Sequence, residues 1–483
     1  MPSHERDWVI LIVLTKHFRH AYTPGMTFRL RSIFTFVFFW SAGLAVCIAQ
    51  EIPSEPSAAS QSAYERVAGN YKLANGQDLA VSLFTGDSGI TALLYSNYET
   101  GVVRQLFPVS GDEYSAGPAS GVPSPVQLTF RFLKHSDGAI ESVALRQPDG
   151  HTEIARRIAV DAHEVSFNSG DVKLAGTLLV PQTKGPHPAI VLLHGSGPLP
   201  RWSFGPYPRF FASLGFAVLV YDKRTSGVPR TGFYPDVFLN DAMEAFHFLE
   251  TRSDIDPKRI GFWGSSEGGM LGTQVAARVP NVAFVINSSG SMMPVWEQVL
   301  YNIGAQLRAD GFAATEVTDA VKFETLAIEV MRTGNRWDEY ERAQSAALNT
   351  KWWPAYFGGG KGFSSLERIR WQWEHVYSFD PTLALRAVKC PVLGLFGALD
   401  TSTPAPVAAR NLENGLRSAG NRDVTTKIFE QGNHPLMDAR TGGNAEIPSL
   451  TRMVPGVFES LRAWLSSRIN DGSGTSRPPV GKP

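Results

Sequence analysis

Residues 261–270 read GFWGSSEGGM, two serines side by side between glycines. Only Ser266 has a glycine two residues away on both sides, in Gly264-Ser265-Ser266-Glu267-Gly268, and so it alone of the pair fits G-x-S-x-G. The flanks give the pattern its meaning. Ahead of it RIGFWG (259–264) is a β-run, and behind it EGGMLGTQVAARV (267–279) has helical spacing. A serine forced into a tight strand-to-helix turn leaves little room for neighbouring side chains, which accounts for the small residues around it. The turn also sets Ser266 at a helix N-terminus, where backbone N–H groups stabilise negative charge. A plain glycine-rich turn would look the same in isolation, so partner residues elsewhere must decide.

A serine hydroxyl is a poor nucleophile and needs a base, itself oriented by an acid. Downstream, LGLFGALDTSTP (393–404) places Asp400 just beyond an apolar strand, and KIFEQGNHPL (427–436) places His434 in a turn after the next one. Both stand at C-terminal strand ends, the edge where open α/β sheets carry their sites. Taken singly they read as a helix-capping loop acid and a surface histidine; in the order Ser, Asp, His they read as a triad. Asp222 in VYDKRTSG precedes the serine and is expected to anchor its loop to basic neighbours. Asp438 is too close to His434 in sequence, Asp380 lies before its strand, and His247 and His375 fall on helical patterns. Acyl transfer also needs a home for an oxyanion. HGSGP (194–198) follows the strand AIVLL, and its Ser196 N–H is expected to act with that of Glu267. The Glu267 carboxylate suits a helix N-terminus and is assigned no chemical role.

The surrounding grammar is that of an α/β protein. HEVSFNSGDVKLAGTLLVP (163–181) reads as a hairpin, followed by apolar strands HPAIVLLHGSG and GFAVLVYDKR with the helical PRFFASLG between them. A helix over NDAMEAFHFLETR (240–252), capped at Asn240 or Asp241, leads to the serine strand, and VAFVINSSG (282–290) is the strand after it. Such alternation predicts a mostly parallel sheet with helices on both faces. From about 291 to 380 helical stretches interrupt the pattern, before αβ alternation resumes.

Upstream, residues 63–161 show short alternating runs such as DLAVSLF, GITALLYS and VQLTFRFL, separated by NGQD, TGDSG, HSDG and QPDG. These turns indicate antiparallel hairpins, hence a small all-β domain without a helix. The rhythm resembles the lipocalin-like β-domain of some secreted serine hydrolases, and the segment is read as a scaffold or lid-like accessory. Residues 51–62, EIPSEPSAASQS, read as a linker. Residues 1–50 read as an upstream segment plus an export signal starting at Met26, with Arg29 and Arg31 before the apolar stretch 32–47 and small Ala49 as a cleavage position. An uncleaved anchor is the other reading, and exported, periplasmic or extracellular location is the expectation. Residues 471–483 are Gly/Ser/Pro-rich and read as a disordered tail.

The 483 residues suffice for two or three domains at a prior of about 150 residues each. Forty-five basic and 45 acidic residues cancel, which gives no electrostatic footprint for nucleic acid. Cys47 and Cys390 are the two cysteines, too few for a zinc cluster. No cofactor or metal is expected, and membrane contact is expected only through an uncleaved leader.

Together, HPAIVLLHGSGP, FAVLVYDKRTSG, GFWGSSEGGM, PVLGLFGALD and GNHPL resemble the α/β-hydrolase superfamily over roughly residues 163–467. The likeness is to bacterial serine esterases near the dienelactone-hydrolase and prolyl-oligopeptidase-like branches. It implies an α/β-hydrolase fold over 162–470 with a helical cap at about 291–380. It also implies nucleophile, acid and base at Ser266, Asp400 and His434, with the loop after His194 in the oxyanion hole. HGSGPLPRWSFGPYP lacks the charged run that often follows HGSGP in those esterases, which leaves the substrate open. The expected activity is carboxylic-ester hydrolysis on a small molecule through an acyl-serine. A peptidase or thioesterase of the same fold, and a non-catalytic binding protein, are the alternatives. Trp352, Trp353, Tyr356, Phe357, Trp371, Trp373 and Tyr377 crowd the helical insertion, as core packing or as an apolar acyl wall.

Overall fold

The computed structural model describes residues 58–86, 91–225 and 235–469. The expected leader, the first part of the linker and the C-terminal tail lie outside the described residues. The linker was expected to reach residue 62, but a helix, α1 (Ala58–Val67), already runs through that stretch and into the expected all-β segment. The cause is tertiary: Val67 is fully buried in the core of the following domain, and Tyr71 donates its hydroxyl to the Val67 carbonyl at 2.7 Å.

Eight antiparallel strands then close into a barrel. They are β1 (Gly69–Leu73), β2 (Asp78–Thr85), β3 (Thr91–Asn97), β4 (Val103–Ser110), β5 (Glu113–Ala116), β6 (Leu128–Lys134), β7 (Ile140–Arg146) and β8 (Thr152–Ile158). Closure is by β1 on β8, with Tyr71 opposite Arg157. Alternation along each strand sorts side chains to two faces. On β2, Leu79, Val81 and Leu83 fill the interior with Tyr95, Phe130 and Phe132, while Ala80 belongs to a second core outside the barrel.

A second, eight-stranded sheet follows: β9 (Val160–Ser169), β10 (Val172–Pro181), β11 (His187–Leu193), β12 (Ala217–Tyr221), β13 (Ile255–Ser265), β14 (Val285–Ser288), β15 (Val392–Gly397) and β16 (Val424–Phe429). Its order is β16-β15-β14-β13-β11-β12-β10-β9. The β9–β10 hairpin and the β10–β12 pairing are antiparallel, and every other pairing is parallel. Every residue of β11 and β15 is buried, as expected of strands covered on both faces.

On one face α3 (Pro235–Glu250), α4 (Glu267–Arg278) and α10 (Ala405–Ser418) share a core with the helices inserted between β14 and β15. That insertion comprises α5 (Val295–Ala309), α6 (Ala314–Thr333), α7 (Trp337–Ala347), α8 (Trp352–Phe357) and α9 (Leu366–Gln372). Helix α3 starts at Pro235 rather than at the expected cap, Asn240 or Asp241. Buried Phe238 and Leu239 extend its apolar face backwards, and Asp241 is instead ion-paired inside the fold with Arg224.

The other face is covered by α2 (Tyr207–Ser213) and α11 (Val457–Ile469), and the barrel docks on these same helices. Tyr98 sits edge-on to both Phe210 and Phe458, at 5.1 and 5.0 Å between ring centres, and donates its hydroxyl to Pro206 O. Backbone bonds then stitch the barrel to residues 448–453. Ser120 N donates to Leu450 O at 2.7 Å, Gly121 N to Pro448 O at 2.9 Å, and Met453 N to Gly101 O at 2.8 Å.

Candidate active site

Strand β13 ends at Ser265 and α4 begins at Glu267, so Ser266 alone makes the turn. Its φ of 55° and ψ of −117° lie where L-residues are rare, a strain of about 1–3 kcal/mol that surrounding bonds must hold. Ser266 N donates to Ser288 O at 2.8 Å, and Ser266 O accepts from Gly269 N at 2.9 Å. The glycines are there for want of space. A Cβ on Gly268 would lie 2.1 Å from Leu193 O, and one on Gly264 would lie 2.1 Å from the Gly268 carbonyl. The Ser266 hydroxyl makes no capping bond to its own helix, which leaves it available.

His434 stands in the turn after β16, almost buried, with Nδ1 2.8 Å from Asp400 Oδ2. Asp400 is 1% exposed, and its other oxygen accepts from Ser402 N at 2.7 Å and Thr403 N at 2.8 Å. Those donors fix the carboxylate, which in turn fixes the imidazole with Nδ1 as donor and Nε2 turned to its other side. Thr403 Oγ1 donates to Ser289 O, one residue beyond the carbonyl that receives Ser266 N, so the acid turn abuts the serine turn. Among the described residues no hydrogen bond joins Ser266 Oγ to His434, a contact that commonly tightens only with substrate bound.

The loop after β11 comes close to the serine. A Cβ on Gly195 would lie 3.6 Å from Ser266 Cβ. Helix geometry leaves the Glu267 N–H without an acceptor inside α4. Sequence reasoning gave the Glu267 side chain no part, yet it is fully buried against Lys223, Nζ to Oε1 2.6 Å. Its Oε2 accepts from Ser196 Oγ at 2.9 Å, and Lys223 Nζ also donates to Gly195 O at 2.8 Å. Burial pushes the Glu267 carboxyl up, and the Lys223 ammonium opposes it. His194 is buried against Phe204; burial and then Lys223 push it down to about 3, so its ring is neutral and no base.

Two further residues escaped the sequence reading. Tyr301 on α5 donates to Asp400 O at 2.8 Å, and Asn302 donates to Thr401 O at 3.0 Å, so the helical insertion holds the acid turn. Their signal, polar side chains a turn apart from apolar ones on an amphipathic helix, is too common to single them out.

The rival residues lie elsewhere. Asp222 accepts from Arg201 N and Nη2, the loop anchor expected of it. Asp438 pairs with Arg452, Asp380 caps Thr382 N, His247 pairs with Glu250, and His375 bonds Trp371 O. Trp352, Trp353 and Tyr377 are buried in the main core and serve packing, and the glycines after Phe357 end α8 with Gly358 at φ 59°.

A model described as the alpha/beta hydrolase family matches residues 190–443, more than half of the chain. The quorum-quenching protein AidA of Acinetobacter baumannii is 34% identical over 128 residues, 26% of this chain and 42% of AidA. The esterase EstD of Thermotoga maritima is 36% identical over 126 residues, 23% of this chain and 30% of EstD. The thiohydrolase aneE of Aspergillus aculeatus is 31% identical over 129 residues, 26% of this chain and 40% of aneE. The chain thus spans less than half the length of each of these relatives.

Proposed function

The chain belongs to the alpha/beta hydrolase family, and from that premise we propose that it cleaves carboxylic esters through an acyl intermediate on Ser266. The observation that carries the reading is the buried His434–Asp400 hydrogen bond at the same sheet edge as a serine held at φ 55°. In this reading His434 Nε2 takes the proton from Ser266 Oγ as the oxygen attacks the ester carbonyl. Asp400 holds the ring and stabilises the imidazolium. The N–H groups of Ser196 and Glu267 receive the oxyanion, the alcohol departs with the proton from His434, and water repeats the cycle on the acyl-enzyme. Helices α5–α9 act as a cap, with partly exposed Tyr356, Phe357 and Trp373 as candidates for an acyl-binding wall. The similarity to a thiohydrolase favours thioesters as the second substrate class, since the same serine chemistry serves both.

Hydrolysis of short-chain nitrophenyl esters by the wild type, Ser266→Ala and Ser265→Ala tests the reading. Activity and fluorophosphonate labelling are expected to vanish with Ser266→Ala and to survive Ser265→Ala. Full activity in Ser266→Ala removes this serine as nucleophile, and an unlabelled wild type favours a binding protein.

A further inference from the structure

We infer that Lys223 is a positioning residue: by clamping the Gly195 carbonyl it turns the Ser196 N–H toward the oxyanion. The inference rests on the reading of Ser196 as an oxyanion donor and deepens it. A trans peptide unit is planar, so the carbonyl of Gly195 and the N–H of Ser196 are one rigid body with opposed directions. Whatever holds the carbonyl therefore aims the N–H. Lys223 Nζ holds it at 2.8 Å, and Gly195 itself lies against Ser266.

The loop does not supply this stiffness by itself. Gly195 and Gly197 flank Ser196, and Gly197 already adopts φ 102°. The peptide between Gly195 and Ser196 pivots on a glycine ψ, which rotates readily, and a flip would present a carbonyl oxygen where a negative charge must develop. The clamp is built on both sides of that peptide. Lys223 is 7% exposed and lies 4.2 Å from the Phe238 ring centre, with Glu267 Oε1 at 2.6 Å as its counter-ion. The second oxygen of the same carboxylate takes the Ser196 hydroxyl, fixing the residue beyond the peptide. Glu267 thus ties both donor positions into one unit: its own N–H and, through its side chain, that of Ser196.

The test uses the double variant Lys223→Met/Glu267→Gln, which removes the clamp without leaving one buried charge unpaired. Its readouts are the thermal transition, kcat and KM for nitrophenyl acetate, and inhibition by a trifluoromethyl ketone, which forms a tetrahedral oxyanion on the serine. Expected are a kcat lower by about 10²-fold, KM within about threefold of wild type, and ketone affinity reduced by the same factor as kcat. A folded double variant with kcat and ketone affinity within about twofold of wild type overturns the inference. Should that variant show no cooperative transition, Lys223→Met alone decides, since burial favours protonation of the Glu267 carboxyl once the ammonium is gone. A severalfold loss in kcat at unchanged KM supports the clamp, and an unchanged kcat overturns it. Loss of activity in Ser266→Ala alongside fully active clamp variants refutes the clamp alone, whereas an active Ser266→Ala refutes the underlying serine reading.

Discussion

Glu324 on α6 carries a carboxylate into the core of the helical insertion, where it is 2% exposed. The groups that feel its charge are the tyrosines 340, 356 and 377, and Tyr377 donates to Oε1 at 3.5 Å. Burial outweighs that weak bond and pushes the carboxyl from its ordinary 4.5 to about 7. Folded Glu324 therefore keeps its proton where the unfolded chain has released it. Its contribution to stability is full below pH 4.5, declines as pH rises, and is lost above about pH 7. At about 1.4 kcal/mol per tenfold change in proton affinity, the loss between pH 4.5 and pH 8 is about 3 kcal/mol. Glu324→Gln mimics the protonated acid at every pH. Urea unfolding of the wild type and this variant, compared at each pH, cancels the other titrating groups. The two are expected to agree near pH 5 within about 1 kcal/mol, and the variant to lead by about 3 kcal/mol at pH 8. A difference that stays flat from pH 5 to pH 8 refutes the assignment.

Asp400→Asn preserves shape but presents an amide to His434, and kcat/KM for esters is expected to fall by about 10³- to 10⁴-fold; a loss under tenfold contradicts the proposed role. Asp241→Leu leaves the Arg224 guanidinium buried without its counter-ion, and chemical denaturation is expected to show a loss of about 3–5 kcal/mol, most of it recovered in Arg224→Met/Asp241→Leu. Gly268→Ala drives a Cβ to 2.1 Å from Leu193 O, so calorimetry is expected to show a lower Tm or no cooperative transition, and an unchanged Tm would mean that the turn opens freely.

What was legible in the chain divides by how far apart the interacting groups stand. The serine turn, and the strands that end near Asp400 and His434, announce themselves in short stretches whose apolar runs stop at a glycine or a polar residue. The hydrogen bond between His434 and Asp400 spans 34 positions but was foreshadowed by chain order. The Lys223–Glu267 pair spans 44 positions with no such order to suggest it. Each residue alone reads as an ordinary charge, one after a strand and one at a helix start. Helix α1 was hidden for another reason. Its Ser/Ala-rich sequence lacks a strong apolar stripe, and burial of Val67 at its end fixes a segment that composition leaves undecided.

The stitching of the barrel to residues 448–453 orders events in time. The barrel leaves the ribosome before the second sheet, but its outer face carrying Ala80 and Tyr98 is covered partly by Phe458 and its neighbours, 300 positions beyond Ile158. At about 5–20 residues per second, the synthesis that separates Ile158 from Leu450 takes roughly 15–60 s. For that interval the amides of Gly121 and Ser120 lack the carbonyls that they later meet, and Tyr98 lacks Phe458. A strap made late is thus the one that covers a domain made early, and a chain ended between the two leaves Ser120 and Gly121 without the carbonyls of Leu450 and Pro448.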